Sequence, residues 1–366
     1  MNTTQRGLIM QRWSVVQQEL MPELRSEVGP LTPRLEKVIH TLEWVRIEEF
    51  VESTWCGVGR PPHDRGALAS AFVAKAVLSL TTTEALIERL KVDRALRRIC
   101  GFSMWKRMPA PSTFSRAFDE FAQTKLAQRV HEALVKEHLG HALIGHISRD
   151  GTAIAAREKP ARKEKIKPVA QAKRGRPRKD EMREPKLKTI ARQLGQSLTE
   201  MLAALPKACD RGTKCNAQGY KISWNGYKLH LDTADCGIVV SALLTSASVH
   251  DSQTAIPLAL MTQGRVTHCY DLMDAAYCSA EIRSHSRSLG HVPLIDHNPR
   301  GGEKIEFDPA QKQRYKERSQ AERANARLKN EFGGRQVWVR GHTKVMSHLM
   351  FGLLGLTADQ LLRLLT

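Results

Sequence analysis

The chain has 366 residues, 41% of them hydrophobic, which is long enough for two domains or for one domain with a large insertion, each with a buried core. Its 57 Lys and Arg stand against 38 Asp and Glu, and the resulting +19 points to a polyanionic partner, nucleic acid first. The opening residues carry no signal peptide or lipidation signal. The apolar stretches 69–80 and 345–365 are too short, or are broken by Lys75, His348, Asp359 and Arg363, to span a bilayer, so no membrane partner is expected.

Residues 1–140 are rich in helix formers and lack period-two runs, which predicts an all-helical N-terminal domain. Gly57-Val58-Gly59-Arg60-Pro61-Pro62 breaks the chain before a helix at about 64–80. Thr81-Thr82-Thr83-Glu84 resembles a capping box for the next helix, and Pro109-Ala110-Pro111-Ser112-Thr113 leads into one carrying Phe114, Phe118 and Phe121 on a single face. Short helices with tight turns suit either a helix-turn-helix-like DNA-binding module or a bundle that only packs or dimerises.

From about residue 143 the texture changes to strands, at 143–150, 227–231, 238–245, 266–274 and 292–295. Ala234-Asp235-Cys236-Gly237 joins the second and third as a hairpin turn. Helices after Ser252 and after Ser279 favour parallel crossovers for the last two. The fold class predicted for 141–366 is therefore α/β, a mixed five-stranded sheet with flanking helices. Its strand order matches the ribonuclease-H-like fold.

A basic insertion at about 157–219 interrupts this domain; residues 157–188 hold 14 Lys and Arg against five Asp and Glu, with Pro160, Pro168, Pro177 and Pro185 opposing regular structure. Within it, Lys173-Arg174-Gly175-Arg176-Pro177-Arg178-Lys179 is similar to an AT-hook, which places Arg174, Arg176 and Arg178 in an A·T minor groove; a solvated charge run with nonspecific DNA affinity is the alternative. Residues 187–205 recover a helical period. Seven cysteines without a C-x-x-C pair suggest no disulfide framework and fit a reducing cytoplasm. Zinc held by Cys209, Cys215 and a distant His is a minor alternative to unligated thiols.

A helix predicted at about 310–332 carries the most chemistry. At about 100° per residue, Tyr315, Arg318, Glu322 and Lys329 fall on one stripe, beside a buried stripe of Ala321, Ala324, Leu328 and Phe332. A carboxylate among cations and a phenol suits a site that binds metal and grips phosphate, whereas an exposed i,i+4 pair of Arg318 with Glu322 is the plainer reading. The spacing Tyr315-x2-Arg318-x3-Glu322-x6-Lys329 resembles the Y-R-E-K signature of DDE transposases from bacterial insertion sequences.

Two further segments extend the resemblance. Asp150-Gly151-Thr152, at the end of the first predicted strand, is similar to the D-G-T that opens many such domains. Asp274-Ala275-Ala276-Tyr277-Cys278-Ser279 looks like the family's D-x-G-Y-x-S, with Ala276 for the usual Gly; Asp271, on the opposite strand face, is the runner-up. Asp251 also falls in a recurrent family segment, but a helix N-cap explains it. Trp338 could stack on a flipped base, with core packing the expected role.

The resemblance implies Asp150, Asp274 and Glu322 as catalytic and metal-binding residues. Three carboxylates suit Mg²⁺ or Mn²⁺, two ions about 4 Å apart. It further implies Tyr315, Arg318 and Lys329 as DNA-binding residues, double-stranded DNA (element ends and target) as partner, 3′-hydroxyl ends joined to target DNA, and a homodimer pairing two ends. A ribonuclease-H-like nuclease that does not join, and a non-catalytic repressor derived from a transposase, are the rivals.

Overall fold

A computed structural model describes residues 29–52, 62–161, 187–215, 218–299 and 302–365, with a few isolated positions nearer the N-terminus. Arg174, Arg176 and Arg178 lie outside the described residues.

The helices before residue 140 begin where side chains can satisfy free backbone N–H groups. Thr32 caps α1 (Pro33–Val45), Asp64 caps α2 (Arg65–Val77) by accepting from Gly66 and Ala67 N at 2.8 and 3.2 Å, and Thr82 caps α3 (Thr83–Val92) at 3.1 Å. Asp93 starts α4 (Arg94–Ile99), Pro111 occupies the first turn of α5 (Pro111–Gln123), and α6 (Leu126–Leu139) follows. As the spacing predicts, Phe114, Phe118 and Phe121 share a face, and their rings surround Phe72 of α2 with centroids 6.1, 4.9 and 6.3 Å away.

Six strands, not five, form one mixed sheet among the described residues: β1 (Leu143–Ala155), β2 (Asp210–Cys215), β3 (Lys221–Ala234), β4 (Val239–Ser246), β5 (Thr267–Met273) and β6 (Val292–Ile295). The additional strand, β2, lies inside the segment that charge marks as an insertion. It pairs antiparallel with the first half of β3, whose second half pairs with β4 and with β1. On its other edge β1 pairs parallel with β5, and β5 with β6. Residues 189–204 form two short helices, α7 (Thr189–Gln193) and α8 (Leu198–Ala204), the latter opened by a Ser197/Glu200 capping box. Gly226 crosses β1 with φ +148°, and a Cβ there would stand 2.2 Å from the Ile154 carbonyl oxygen, so only glycine permits this approach. Gly237, with φ +80°, closes the expected hairpin between β3 and β4.

One face of the sheet carries α9 (Ala255–Gln263); α10 (Ala280–Ser288) precedes β6. The predicted helix at 310–332 is broken in two. The pieces are α11 (Pro309–Tyr315) and α12 (Ser319–Glu331), with a 3₁₀ turn at Lys316–Arg318 between them, where the Ser148 hydroxyl of β1 donates to the Glu317 carbonyl at 3.0 Å.

The last helix, α13 (His342–Arg363), is long and apolar enough to cross a membrane by length and composition alone, yet 83% of its apolar window is buried within the protein. It packs on α1, α2, α5 and α6 as well as on α12 and β4, so a single hydrophobic core runs from the N-terminal helices into the sheet.

Candidate active site

Strand alternation decides what surrounds Asp150. The strand does not end there but continues to Ala155, so Ser148, Asp150 and Thr152 point to one face and Arg149 and Gly151 to the other. On the first face each meets the acidic helix or its leading turn: Ser148 meets the Glu317 carbonyl, Asp150 accepts from Asn325 Nδ2 at 2.9 Å, and Thr152 receives Lys329 Nζ at 2.6 Å. Arg318 reaches between the acids. Its Nη1 is 4.0 Å from Asp150 Oδ1, and its Nη2 donates to Glu322 Oε1. The i,i+4 pair exists, and the same guanidinium also faces Asp150.

Asp274 follows β5 directly and caps the turn at Ala275–Tyr277, accepting from Ala276 N at 2.9 Å. The carbonyl of the preceding residue, Met273, accepts from the Tyr315 hydroxyl at 3.0 Å, so this phenol braces the residue next to Asp274. Burial pushes the Tyr315 hydroxyl up to about 12. The Arg318 guanidinium stands 5.9 Å over its ring.

Burial dominates the electrostatics of Asp150 and Asp274, with Arg318 opposing it. Burial pushes the Asp150 carboxyl up to about 6; Arg318 opposes this, and the neighbouring Asp274 and Asp251 carboxylates add to it. Burial and Asp251 likewise raise Asp274. The Tyr277 hydroxyl, fully buried within range of the fields of Asp251, Asp150 and Asp274, has no hydrogen-bond partner among the described residues. Lys329 is lowered by burial and by Lys214 and Arg335, which form a cationic margin beside the site.

The opposite face of β1 is a locked, charged core. Arg149, opposite Asp232 in register, donates to both its carboxylate oxygens at 2.7 Å, with both side chains buried. Asp271 is drawn into the same interior, where burial alone would raise it but His268, His291 and Arg149 hold it well below the usual carboxylate range. It therefore lies away from Asp150, on the face expected for it.

Two expectations need correction. Asp251 does not cap its helix; His250 does, through Nδ1 to Ser252 N, leaving the Asp251 carboxylate 3.1 Å from Lys228 Nζ and 2.7 Å from where a Cβ on Gly151 would sit. Trp338 is not core either, being about half exposed, with the Arg157 guanidinium 5.4 Å over its ring. Cys209 is buried with its thiol 3.6 Å from the Glu158 carbonyl, whereas Cys215 is exposed. Asn325 was legible but unread. It lies seven residues beyond Arg318 and three beyond Glu322, which places it on the same helical stripe.

Family models match two parts of the chain: Transposase domain (DUF772) over residues 23–120 and Transposase DDE domain over residues 150–357. The chain belongs to the DDE transposase family. Its mixed α/β sheet and helical N-terminal region are consistent with that assignment. No curated protein and no solved structure matches it.

Proposed function

We propose that the protein cleaves DNA at the ends of its element and joins the freed 3′-hydroxyls to target DNA, with Asp150, Asp274 and Glu322 as the catalytic carboxylates on a ribonuclease-H-like sheet. One observation carries this reading: acids from β1 and α12 converge on a single guanidinium, with Asp274 close enough for its charge to raise Asp150. The donor set is all carboxylate oxygen and short of positive charge, which fits Mg²⁺ or Mn²⁺; two ions bound there would activate the attacking oxygen and stabilise the leaving one.

The chain's own residues do the rest. Asn325 fixes the orientation of Asp150, and Tyr315 fixes the backbone that leads into Asp274. Arg318 and Lys329 are within reach of phosphate oxygens beside the acids, and Lys214 and Arg335 extend a basic path along which a strand can lie. The helices before residue 140, the insertion arginines and a second copy of the chain contribute DNA binding and end pairing.

Single-turnover reactions on DNA carrying the element's ends, with Mg²⁺, test this. Wild type should nick and join, while Asp150→Ala, Asp274→Ala and Glu322→Ala should lose both steps and keep gel-shift affinity. Nicking without joining would mark a nuclease. DNA binding without nicking by the wild type would mark a repressor, and full activity in Glu322→Ala would remove the acidic triad.

A further inference from the structure

Behind the candidate active site, on the other face of the sheet, three metal-ligating side chains meet in the interior. They are His268 and Asp271 of β5 and His291, which follows α10 and precedes β6, exposed by only 3%, 1% and 7%. His268 Nε2 stands 3.1 Å from Asp271 Oδ1, and His291 Nδ1 3.3 Å from Asp271 Oδ2. Bonds of about 2.0–2.1 Å to a tetrahedral zinc ion place neighbouring ligand atoms roughly 3.3–3.4 Å apart. The gaps to the two Asp271 oxygens are close to that size, and one ligand atom from each of the three residues lies within 4.8 Å of the others.

Around the three ligands lies a buried polar cluster. Asp232 and Asp271 bring two buried carboxylates, and Arg149 is buried against both; its Nη2 is 2.7 Å from Asp232 and 3.8 Å from Asp271. Ser286 and Thr262 donate hydroxyls to these carboxylates but no charge. Nearby Arg265 pairs with Glu132, which also meets Lys136, and burial lowers His285 at this edge. His291 Nδ1 is buried and faces Asp271 Oδ2 at 3.3 Å, without a well-aligned hydrogen bond among the described residues. The two imidazoles lie with ring centroids 3.7 Å apart, so both rings converge on Asp271.

We propose that His268, Asp271 and His291 bind one zinc-class transition-metal ion in a structural site separate from the Mg²⁺-type site. Two imidazoles and one carboxylate select such an ion over Mg²⁺. Ser286, already bonded to Asp271, is placed to order a water as fourth ligand. The ion ties β5 to the turn between α10 and β6. Asp271 is three residues before Asp274, and Arg149 is adjacent to Asp150, so the site anchors both strands that carry catalytic acids from behind.

The test uses the full chain, purified without a histidine tag, exposed to Zn²⁺ and then washed with a weak chelator. Elemental analysis should give about one zinc per chain in the wild type and in Glu322→Gln, and far less in His291→Gln and Asp271→Asn. Co²⁺ in place of zinc should give the strong visible bands of a tetrahedral site. Melting temperature should fall when a strong chelator strips the wild type and recover with Zn²⁺ but not with Mg²⁺, and it should not respond in His291→Gln. Should Asp271→Asn fail to fold, His291→Gln still decides. A wild type that retains no zinc and melts unchanged with chelator overturns the site. Zinc uptake by His291→Gln equal to that of the wild type also overturns it. None of these readouts depends on DNA cleavage.

Discussion

Asn325 donates its amide to Asp150 Oδ2 at 2.9 Å, while its own buried carbonyl oxygen has no partner among the described residues. With the Gly151 backbone N–H, this amide is a neutral donor that orients Asp150 beside the Arg318 guanidinium. Asn325→Ala should lower single-turnover cleavage roughly 10-fold, the loss of about one hydrogen bond, with only a small change in melting. Asn325→Asp should be worse, because a second carboxylate is then pressed on Asp150. Unchanged cleavage in both variants would remove Asn325 from the site.

Arg318 and Lys329 separate catalysis from stability. The Arg318–Glu322 pair is partly exposed, 22% and 57% by side chain, so breaking it should cost only a few tenths of a kcal/mol of folding stability. If the guanidinium holds phosphate oxygens, Arg318→Ala should reduce cleavage by about 10- to 150-fold, the range for a lost charge-assisted contact, and Lys329→Ala similarly. Parallel thermal melts and cleavage assays check this. Normal cleavage with a lowered melting temperature would leave both as helix-surface residues.

The raised Asp150 carboxyl fixes the sign of a pH effect. Its acid form is favoured in the folded protein, with a value of about 6 against about 4 when unfolded, so its stabilising contribution is complete below pH 4 and is lost as pH rises through 6. Without divalent ions, Asp150→Asn should therefore be more stable than wild type at pH 8, by on the order of 1–3 kcal/mol. The difference should close towards pH 4. Urea titrations at the two pH values, in chelator, measure it. An equal difference at both would mean that burial of Asp150 does not oppose its ionisation.

Removing one member of the Arg149–Asp232 pair leaves the other buried without its bidentate partner. Arg149→Met should destabilise by roughly 3–5 kcal/mol, and adding Asp232→Leu should recover part of that loss. Denaturant midpoints of the single and double variants test the coupling. A double variant no better than the single would show that Asp232 is neutralised from elsewhere.

How far the sequence reaches depends on the range of the interaction. The Phe114, Phe118 and Phe121 face, the Thr82 cap and the hairpin at Gly237 are local, and their spacing shows them. The stripe of Arg318, Glu322 and Lys329 was equally visible, as was the opposite placement of Asp271. The break at Lys316–Arg318 was not, because it answers to a hydroxyl on β1, 169 residues away in sequence. β2 hid behind the surrounding charge, since an edge strand with mostly exposed side chains has no apolar alternation to display. The Arg149–Asp232 pair arises from strand register alone.

The placement of α13 has a consequence for synthesis. The helices before residue 140 are made well before residues 345–361, which fill the apolar groove they form. Until that segment emerges those helices have exposed apolar surface and no finished core, and α12, which carries Glu322, lacks its backing. A copy of the gene with a late stop codon should therefore yield unfolded chain that is cleared by proteolysis, not a stable DNA-binding fragment competing with intact protein.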